Sequence, residues 1–544
     1  MTHQKIEQKD WMNVIQSFFT SESKWRYLVL FALGAINVFA YAPYDIWIIP
    51  FVTLSFLILP LTFSISGKTA AKFGFSYGLG WFATGISWVH VAIADFGGLP
   101  LPVSILLMAF LDAYLAIFPA LACYLTVKFK PQLGLFMFVP AWMLTEWLRS
   151  VVLTGFPWLS LGYTQTSNWL AGWAPIIGEI GIQSLVISIA LTLALSLIGF
   201  AQNRSKKWRT LMLSLPICMY LSGFVLNTLS WHTGPSKQVN VSLVQGNIEQ
   251  SIKWQPEKEL PTMLHYLNMS RGEFDYADLI IWPEAAVPRL EVISNDFLRE
   301  VDELAAATNT ALITGIVDYQ PDTKNAFNNL VVLGKKRSND EFGHYKYLHS
   351  NRFNKHHLLP IGEFIPFESV LRGIAPLFDL PMSSFSRGTY QQDNLLANDL
   401  YLSPAICYEI AFSDQVRNNL YHSKSQTSDI ILTVSNDAWF GDTHGPWQHL
   451  QIAQMRALEY AKPVVRVTNN GVTAIINAKG KLSGVLPQFE QQVLRQKIEF
   501  QHSLTPYQQL GNLPLYLLLA LITSVCLLRN RKKTTSDNEL LANQ

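Results

Sequence analysis

Leu400-Tyr401-Leu402-Ser403-Pro404-Ala405-Ile406-Cys407-Tyr408-Glu409 is a short apolar run that closes on a thiol, a phenol and a carboxylate. Its length and composition predict a strand. The ends of strands in α/β sheets are where sites concentrate. Cys407 has two readings there. A free cysteine most often serves as a small buried hydrophobe. It becomes a nucleophile when a base stands beside it. The other three cysteines, Cys123, Cys218 and Cys526, lie in apolar runs of membrane-crossing length. The soluble segment thus holds one thiol and no disulfide framework.

Around this stretch, residues 237–500 alternate strands and helices. Runs rich in apolar and β-branched residues at 239–244, 279–282, 311–316, 329–333, 400–407 and 430–434 predict strands. Residues 255–270, 294–308 and 446–460 predict helices, the last ending ahead of Pro463. Such alternation predicts an α/β domain with its sheet packed between helices.

Two further chemical groups stand in this segment. Glu284 follows Trp282-Pro283 at the end of a predicted strand. It reads as a loop acid or, partly desolvated, as a general base. Lys355 precedes His356-His357. It reads as a solvated surface lysine or as a cation that stabilises an oxyanion. The histidine pair suggests a metal, but adjacent side chains in an extended segment point to opposite faces. His444 and His449 lack any Cys-x-x-Cys or His-Glu-x-x-His context. No metal or other cofactor is expected. A Cys–His hydrolase stays open but has no local signature.

The rest of the chain is apolar. Of 544 residues, 49% are hydrophobic and 15% charged, against about 25% charged in soluble domains. The net charge of +2 argues against a nucleic-acid partner. The 16 tryptophans suit a membrane–water interface. Eight spans are predicted, at 25–42, 46–66, 73–94, 101–127, 134–153, 175–201, 210–230 and 511–528. No cleavable signal peptide is expected, because the first apolar run continues into Pro43 without a small-residue cleavage site.

Basic residues mark alternate connections: Lys5, Lys9, Lys24 and Arg26, then Lys68 and Lys72, then Lys128 and Lys130, then Arg204, Lys206, Lys207 and Arg209, then Arg529, Arg531, Lys532 and Lys533. The positive-inside rule places these in the cytoplasm. The expected order is a cytoplasmic leader (1–24), seven spans (25–232), an extracytoplasmic domain (237–500), an eighth span (510–529) and a cytoplasmic tail (530–544). Glu146 and Arg149 share a helix face near the end of the fifth span and read as a structural ion pair.

Glu284, Lys355 and Cys407 together resemble the Glu-Lys-Cys triad of the nitrilase superfamily. The likeness extends further. Val244-Gln245-Gly246-Asn247-Ile248, Trp282-Pro283-Glu284, Lys355 with Pro360-Ile361-Gly362-Glu363, Cys407-Tyr408-Glu409, Ser435-Asn436-Asp437-Ala438-Trp439-Phe440 and Arg466-Val467-Thr468-Asn469-Asn470-Gly471 occur in one order. With seven spans before the domain and one after, that order resembles the bacterial apolipoprotein N-acyltransferase family. The resemblance implies a polytopic helical membrane domain joined to an α/β nitrilase-like αββα sandwich. It implies transfer of the sn-1 acyl chain of a phospholipid, phosphatidylethanolamine by expectation, through a Cys407 thioester. The acceptor is the α-amine of a diacylglyceryl apolipoprotein at the extracytoplasmic face of the bacterial inner membrane. Glu284 would be the base and Lys355 the oxyanion partner. Glu363, Tyr408 and Glu409 would support them, and Trp254 and Trp439 would meet substrate. The apolar, proline-broken stretch 364–387 is expected to be a lid over the site. Two rivals remain: a tethered amidase that sends water to the thioester, and a transporter or receptor with an inactive nitrilase-like module.

Overall fold

The computed structural model describes residues 2–96, 100–360, 362–364, 385–421 and 427–524. They form two compact units. The expected lid falls almost wholly outside the described residues, as does Cys526.

One unit is helical. Leu101–Lys130, Gly134–Thr154, Trp169–Ala201 and Lys206–Leu226 are long and apolar enough to cross a membrane. They fall on the fourth to seventh expected spans. Trp25–Ala40, Ile49–Thr62 and Leu513–Ser524 are apolar but shorter and fall on the first, second and eighth, the last described only to Ser524. Gly67–Gly85 takes the third position. Its glycines dilute its hydropathy for a packing reason. A Cβ on Gly80 would lie 2.0 Å from the Phe31 carbonyl oxygen, and one on Gly34 would lie 1.9 Å from that of Tyr77. The two helices touch backbone to backbone, as small residues allow in membrane bundles. A further helix, Thr2–Thr20, occupies the stretch expected to be a leader.

Several polar groups inside this unit are paired across its helices. Thr53 Oγ1 donates to Asn37 Oδ1 at 2.9 Å, and Asn37 Nδ2 donates to Tyr77 Oη at 2.8 Å. Lys130 Nζ donates to the carbonyls of Leu61, Thr62 and Phe63 at 2.9, 2.6 and 3.0 Å.

The other unit holds two sheets. The first contains β1 (His232–Gln245), β2 (Leu279–Ile281), β3 (Val287–Leu290), β4 (Ala311–Gln320), β5 (Asn325–Gly334) and β6 (Arg352–Asn354). The second contains β7 (Leu395–Ala397), β8 (Leu400–Ile406), β9 (Ile430–Ser435), β10 (Val464–Thr468), β11 (Ala474–Ile476) and β12 (Leu482–Val485). β13 (Gln492–Ser503) returns to the first. Their orders are β13-β1-β2-β4-β5-β6, with β3 also on β4, and β12-β11-β10-β9-β8-β7. The central strands β1, β2 and β4 run parallel, as do β8, β9 and β10.

Alternate residues of both sheets meet in one buried core, with Val241, Leu243, Ile281, Ile313 and Val332 facing Leu402, Ile406, Leu432, Val434 and Val465. The period of two sends the other residues outward. There Val244, Ile280, Trp282, Leu312 and Val331 bury against Met263 and Tyr266 of helix Pro256–Ser270 and Leu298 and Val301 of helix Asn295–Ala307. Helix Gly445–Tyr460 packs on β10 and β11 and helix Ser413–Tyr421 on β8, which completes a helix–sheet–sheet–helix stack.

Candidate active site

Three strand ends deliver the expected triad to one place. β2 ends two residues before Pro283-Glu284, β6 ends one residue before Lys355, and β8 ends one residue before Cys407. Lys355 is 1% exposed and Glu284 7%, so neither is the solvated surface group of its bland reading. Lys355 Nζ donates to Glu284 Oε1 at 3.3 Å and to Glu363 Oε1 at 2.8 Å. Burial opposes its charge, but the Glu284 and Glu363 carboxylates outweigh that and hold its ammonium well above the usual lysine range. Lys355 therefore stays cationic and is not a base.

Cys407 is half-buried and adopts φ +53°. A left-handed non-glycine residue is strained, and such strain gathers at functional sites. Burial and then the Glu284 charge push its thiol up to about 12, with Lys355 opposing. At neutral pH it is a thiol that needs a base to react, not a preformed thiolate.

Glu284 is held at both oxygens. Oε1 accepts from Asn328 Nδ2 at 2.7 Å, and Oε2 accepts from the Asn436 backbone N–H at 2.9 Å. Asn328 also donates to Glu363 Oε1 at 3.0 Å, which fixes the two carboxylates about one lysine. Glu363 Oε2 accepts from the Leu359 N–H at 2.8 Å. Lys253, fully buried, donates to the Glu284 carbonyl oxygen at 3.1 Å. Burial lowers its amine to about 8.

Glu409 ties the Cys407 turn to the lysine segment. It accepts from the Ile406 N–H at 2.9 Å, the His356 and His357 N–H groups at 2.8 and 3.1 Å, and Gln415 Nε2 at 2.8 Å. Burial raises its carboxyl in spite of these donors. Tyr408 is buried, with its ring edge-on to Phe412. Trp254 packs with Leu290 and Phe364 on Val317, Leu358 and Phe385, beside the segment that carries Glu363. Trp439 is half-buried in the turn Asp437–Phe440, directly after Asn436.

Among the described residues no group of three or more His, Cys, Asp or Glu is placed to hold a metal ion. His449 meets the Cys407 backbone: its Nε2 lies 3.0 Å from the carbonyl oxygen. Asn328 and Lys253 had not been singled out in sequence; Asn436 stood there only inside a quoted motif, and His449 only as a histidine without a metal-binding context. The adjacent Asn328-Asn329 inside an apolar strand was the one available signal. The opening and closing motifs also converge, since Asn469 accepts from the Ile248 N–H at 2.9 Å and donates to Asn436 Oδ1 at 3.2 Å.

A buried Glu-Lys-Cys set on the strand ends of two stacked sheets defines a carbon–nitrogen hydrolase type of domain, and the carbon–nitrogen hydrolase family model matches residues 240–503. The model of the apolipoprotein N-acyltransferase N-terminal domain matches residues 33–192. Proteins named apolipoprotein N-acyltransferase are 44% identical in Vibrio parahaemolyticus over 92% of this chain and 96% of the relative. The one in Shewanella oneidensis is 44% identical over 94% and 97%, and the one in Haemophilus influenzae 39% over 93% and 96%. The chain belongs to this family of acyltransferases.

Proposed function

We propose that the chain transfers an acyl chain from a phospholipid to the N-terminal amine of a diacylglyceryl apolipoprotein by way of a thioester on Cys407. The observation that carries this reading is the buried Lys355, bonded to both Glu284 and Glu363, at the strand ends that also present Cys407 in a left-handed turn. Glu284 takes the Cys407 proton as sulfur bonds to the sn-1 ester carbonyl carbon. Lys355 stabilises the oxyanion. The C–O bond breaks, and Glu284 returns the proton to the departing lysophospholipid. In the second half the lipoprotein amine forms the C–N bond and the C–S bond breaks. Glu284 passes the amine proton to sulfur. The scheme is ping-pong.

Phosphatidylethanolamine is the donor we assign. Trp254 and Trp439 flank the groups that hold Glu363 and Glu284 and would meet lipid. Eight spans, with both termini cytoplasmic and 237–500 outside the inner membrane, suit two substrates that never leave the outer leaflet. The alternating basic connections support that order.

Intact mass spectrometry after incubation with phosphatidylethanolamine tests the chemistry, beside Cys407→Ser. A gain of one acyl chain, discharged by a diacylated lipopeptide amine and not by water, is expected. Equal discharge by water would mean a hydrolase. Protease added to right-side-out spheroplasts should cut within 237–500, and protection there would reverse the topology.

A further inference from the structure

Two of the motifs in the chain, Ser435–Phe440 and Arg466–Gly471, contribute more to the site than the acyl-transfer scheme uses. Asp437 and Arg466 lie in them, fully buried, and both reach His449 on helix Gly445–Tyr460. Arg466 Nη2 bonds Asp437 Oδ2 and lies 3.1 Å from His449 Nδ1. Asp437 Oδ1 accepts from Ser435 Oγ at 2.6 Å and lies 3.2 Å from the same ring nitrogen. At the far edge of the ring, Nε2 stands 3.0 Å from the Cys407 carbonyl oxygen.

A carbonyl only accepts, so Nε2 carries the proton. Burial, then Arg466, lower the imidazole from its usual range, and Asp437 opposes them. At the other edge Nδ1 is held between Arg466 and Asp437. The ring is thus orientated at one edge and donates at the other. Cys407 has the left-handed backbone of a sharp strand-to-turn junction. Its carbonyl leaves the β8 ladder there and needs a donor within the protein, because an unpaired buried carbonyl is costly.

We propose that His449 is a positioning residue for the nucleophile, held by Arg466 and Asp437 and acting through its hydrogen bond to the Cys407 carbonyl. It does not touch the sulfur and is not the base of a Cys–His pair. Loss of the bond lets the strained turn relax and moves the thiol relative to Glu284 and Lys355. Misplacement of a reacting group by about 1 Å costs roughly 100-fold.

The proposal rests on Cys407 being the acylated thiol, and two readouts on the full-length protein separate the questions. The first is single-turnover thioester formation with phosphatidylethanolamine. The second is iodoacetamide alkylation of Cys407, read by peptide mass, which needs no substrate. H449L should slow thioester formation roughly 100-fold with KM little changed, and slow alkylation about 10-fold. H449Q keeps a donor and an acceptor and should recover both to within about 10-fold of wild type. A folded H449L that acylates at the wild-type rate overturns the proposal, as does H449Q as slow as H449L. Should H449L fail to fold, H449Q decides: within about 10-fold of wild type upholds the role, and a 100-fold loss ends it. A wild type that alkylates at Cys407 yet forms no thioester sinks the proposed function, and alkylation of the variants still decides the role of His449.

Discussion

Each unit buries an acid–base pair, and the two pairs are built differently. In the helical unit Arg149 bonds Glu146 through Nε at 3.1 Å and through Nη2, and donates to the carbonyls of Phe156 and Trp158. The cation bonds one carboxylate, its remaining donors close on backbone, and the buried Glu179 lies near enough to act on it as well. In the sheet unit Lys355 meets two carboxylates, Glu284 and Glu363, beside a thiol. In the first arrangement every side-chain nitrogen of the arginine has a partner. The second sets two carboxylates against one ammonium, an excess of negative charge that opposes a thiolate beside it. Burial alone does not mark a reacting group; unbalanced charge next to a nucleophile does.

Removing the thiol is the sharpest break of this comparison. Cys407→Ala should lower turnover by at least about 10⁴-fold, as loss of a nucleophile does, and abolish the acyl adduct while the protein still inserts. Turnover near wild type would end the mechanism. Glu284→Gln should cost about 10²–10⁴-fold, the range of a general base. Lys355→Met should cost about 10²–10³-fold in thioester formation, as loss of an oxyanion partner does. It also leaves Glu284 and Glu363 facing each other uncompensated. Rapid-quench acylation measured on folded protein reads both.

Glu284 and Cys407 were legible because each follows an apolar run, whereas the three-residue strand Arg352–Asn354 before Lys355 was too short and polar to read. Leu279–Ile281 and Leu400–Ile406 are fully or nearly fully buried strands, and such strands read as continuous apolar stretches. β13 escaped notice because it is an outer strand with one wet face, where Arg495, Lys497 and Glu499 interrupt the apolar residues. β10 carries Arg466 at a buried position, which no apolar pattern anticipates. His449 meets Cys407 from 42 residues away, across a helix and a strand, so no spacing rule finds it. In the helical unit four of the expected spans fall on helices long and apolar enough to cross a membrane. Hydropathy does not report the close approach that Gly34 and Gly80 allow between helices Trp25–Ile36 and Gly67–Gly85.

A smaller effect should follow from breaking the closed pair. Arg149→Met strands Glu146 and takes donors from two carbonyls, which should destabilise the folded protein by about 3–5 kcal/mol. Thermal unfolding in detergent measures it. The double change Glu146→Gln with Arg149→Met should recover part of the loss, because no lone charge remains. Acylation per folded molecule should be nearly unchanged in both. A rate loss as large as that of Lys355→Met would mean that the helical pair also serves the reaction, and the contrast between the two pairs would fail.

The smallest effect concerns acid. Burial, first of all, lowers His349 to about 3 and His357 to about 4. Arg352 adds to the shift at His349, and Gln415 opposes it at His357. The fold favours the neutral rings. Their contribution is complete above the unfolded value of about 6.5 and is lost as pH falls through 6 towards 4, at roughly 1.4 kcal/mol per pH unit for each ring. The His357 ring stacks on Phe412 with centroids 3.8 Å apart. His357→Phe therefore keeps the stack and removes one proton from the linkage. Its stability should fall less steeply between pH 6 and 4 than that of wild type, by about one proton's slope. Hydrogen exchange resolved by peptide reads this on the full-length chain. The strands around His357 should lose protection first, while the membrane-apolar helices keep theirs. Identical slopes in wild type and His357→Phe would show that the ring is already charged in the fold.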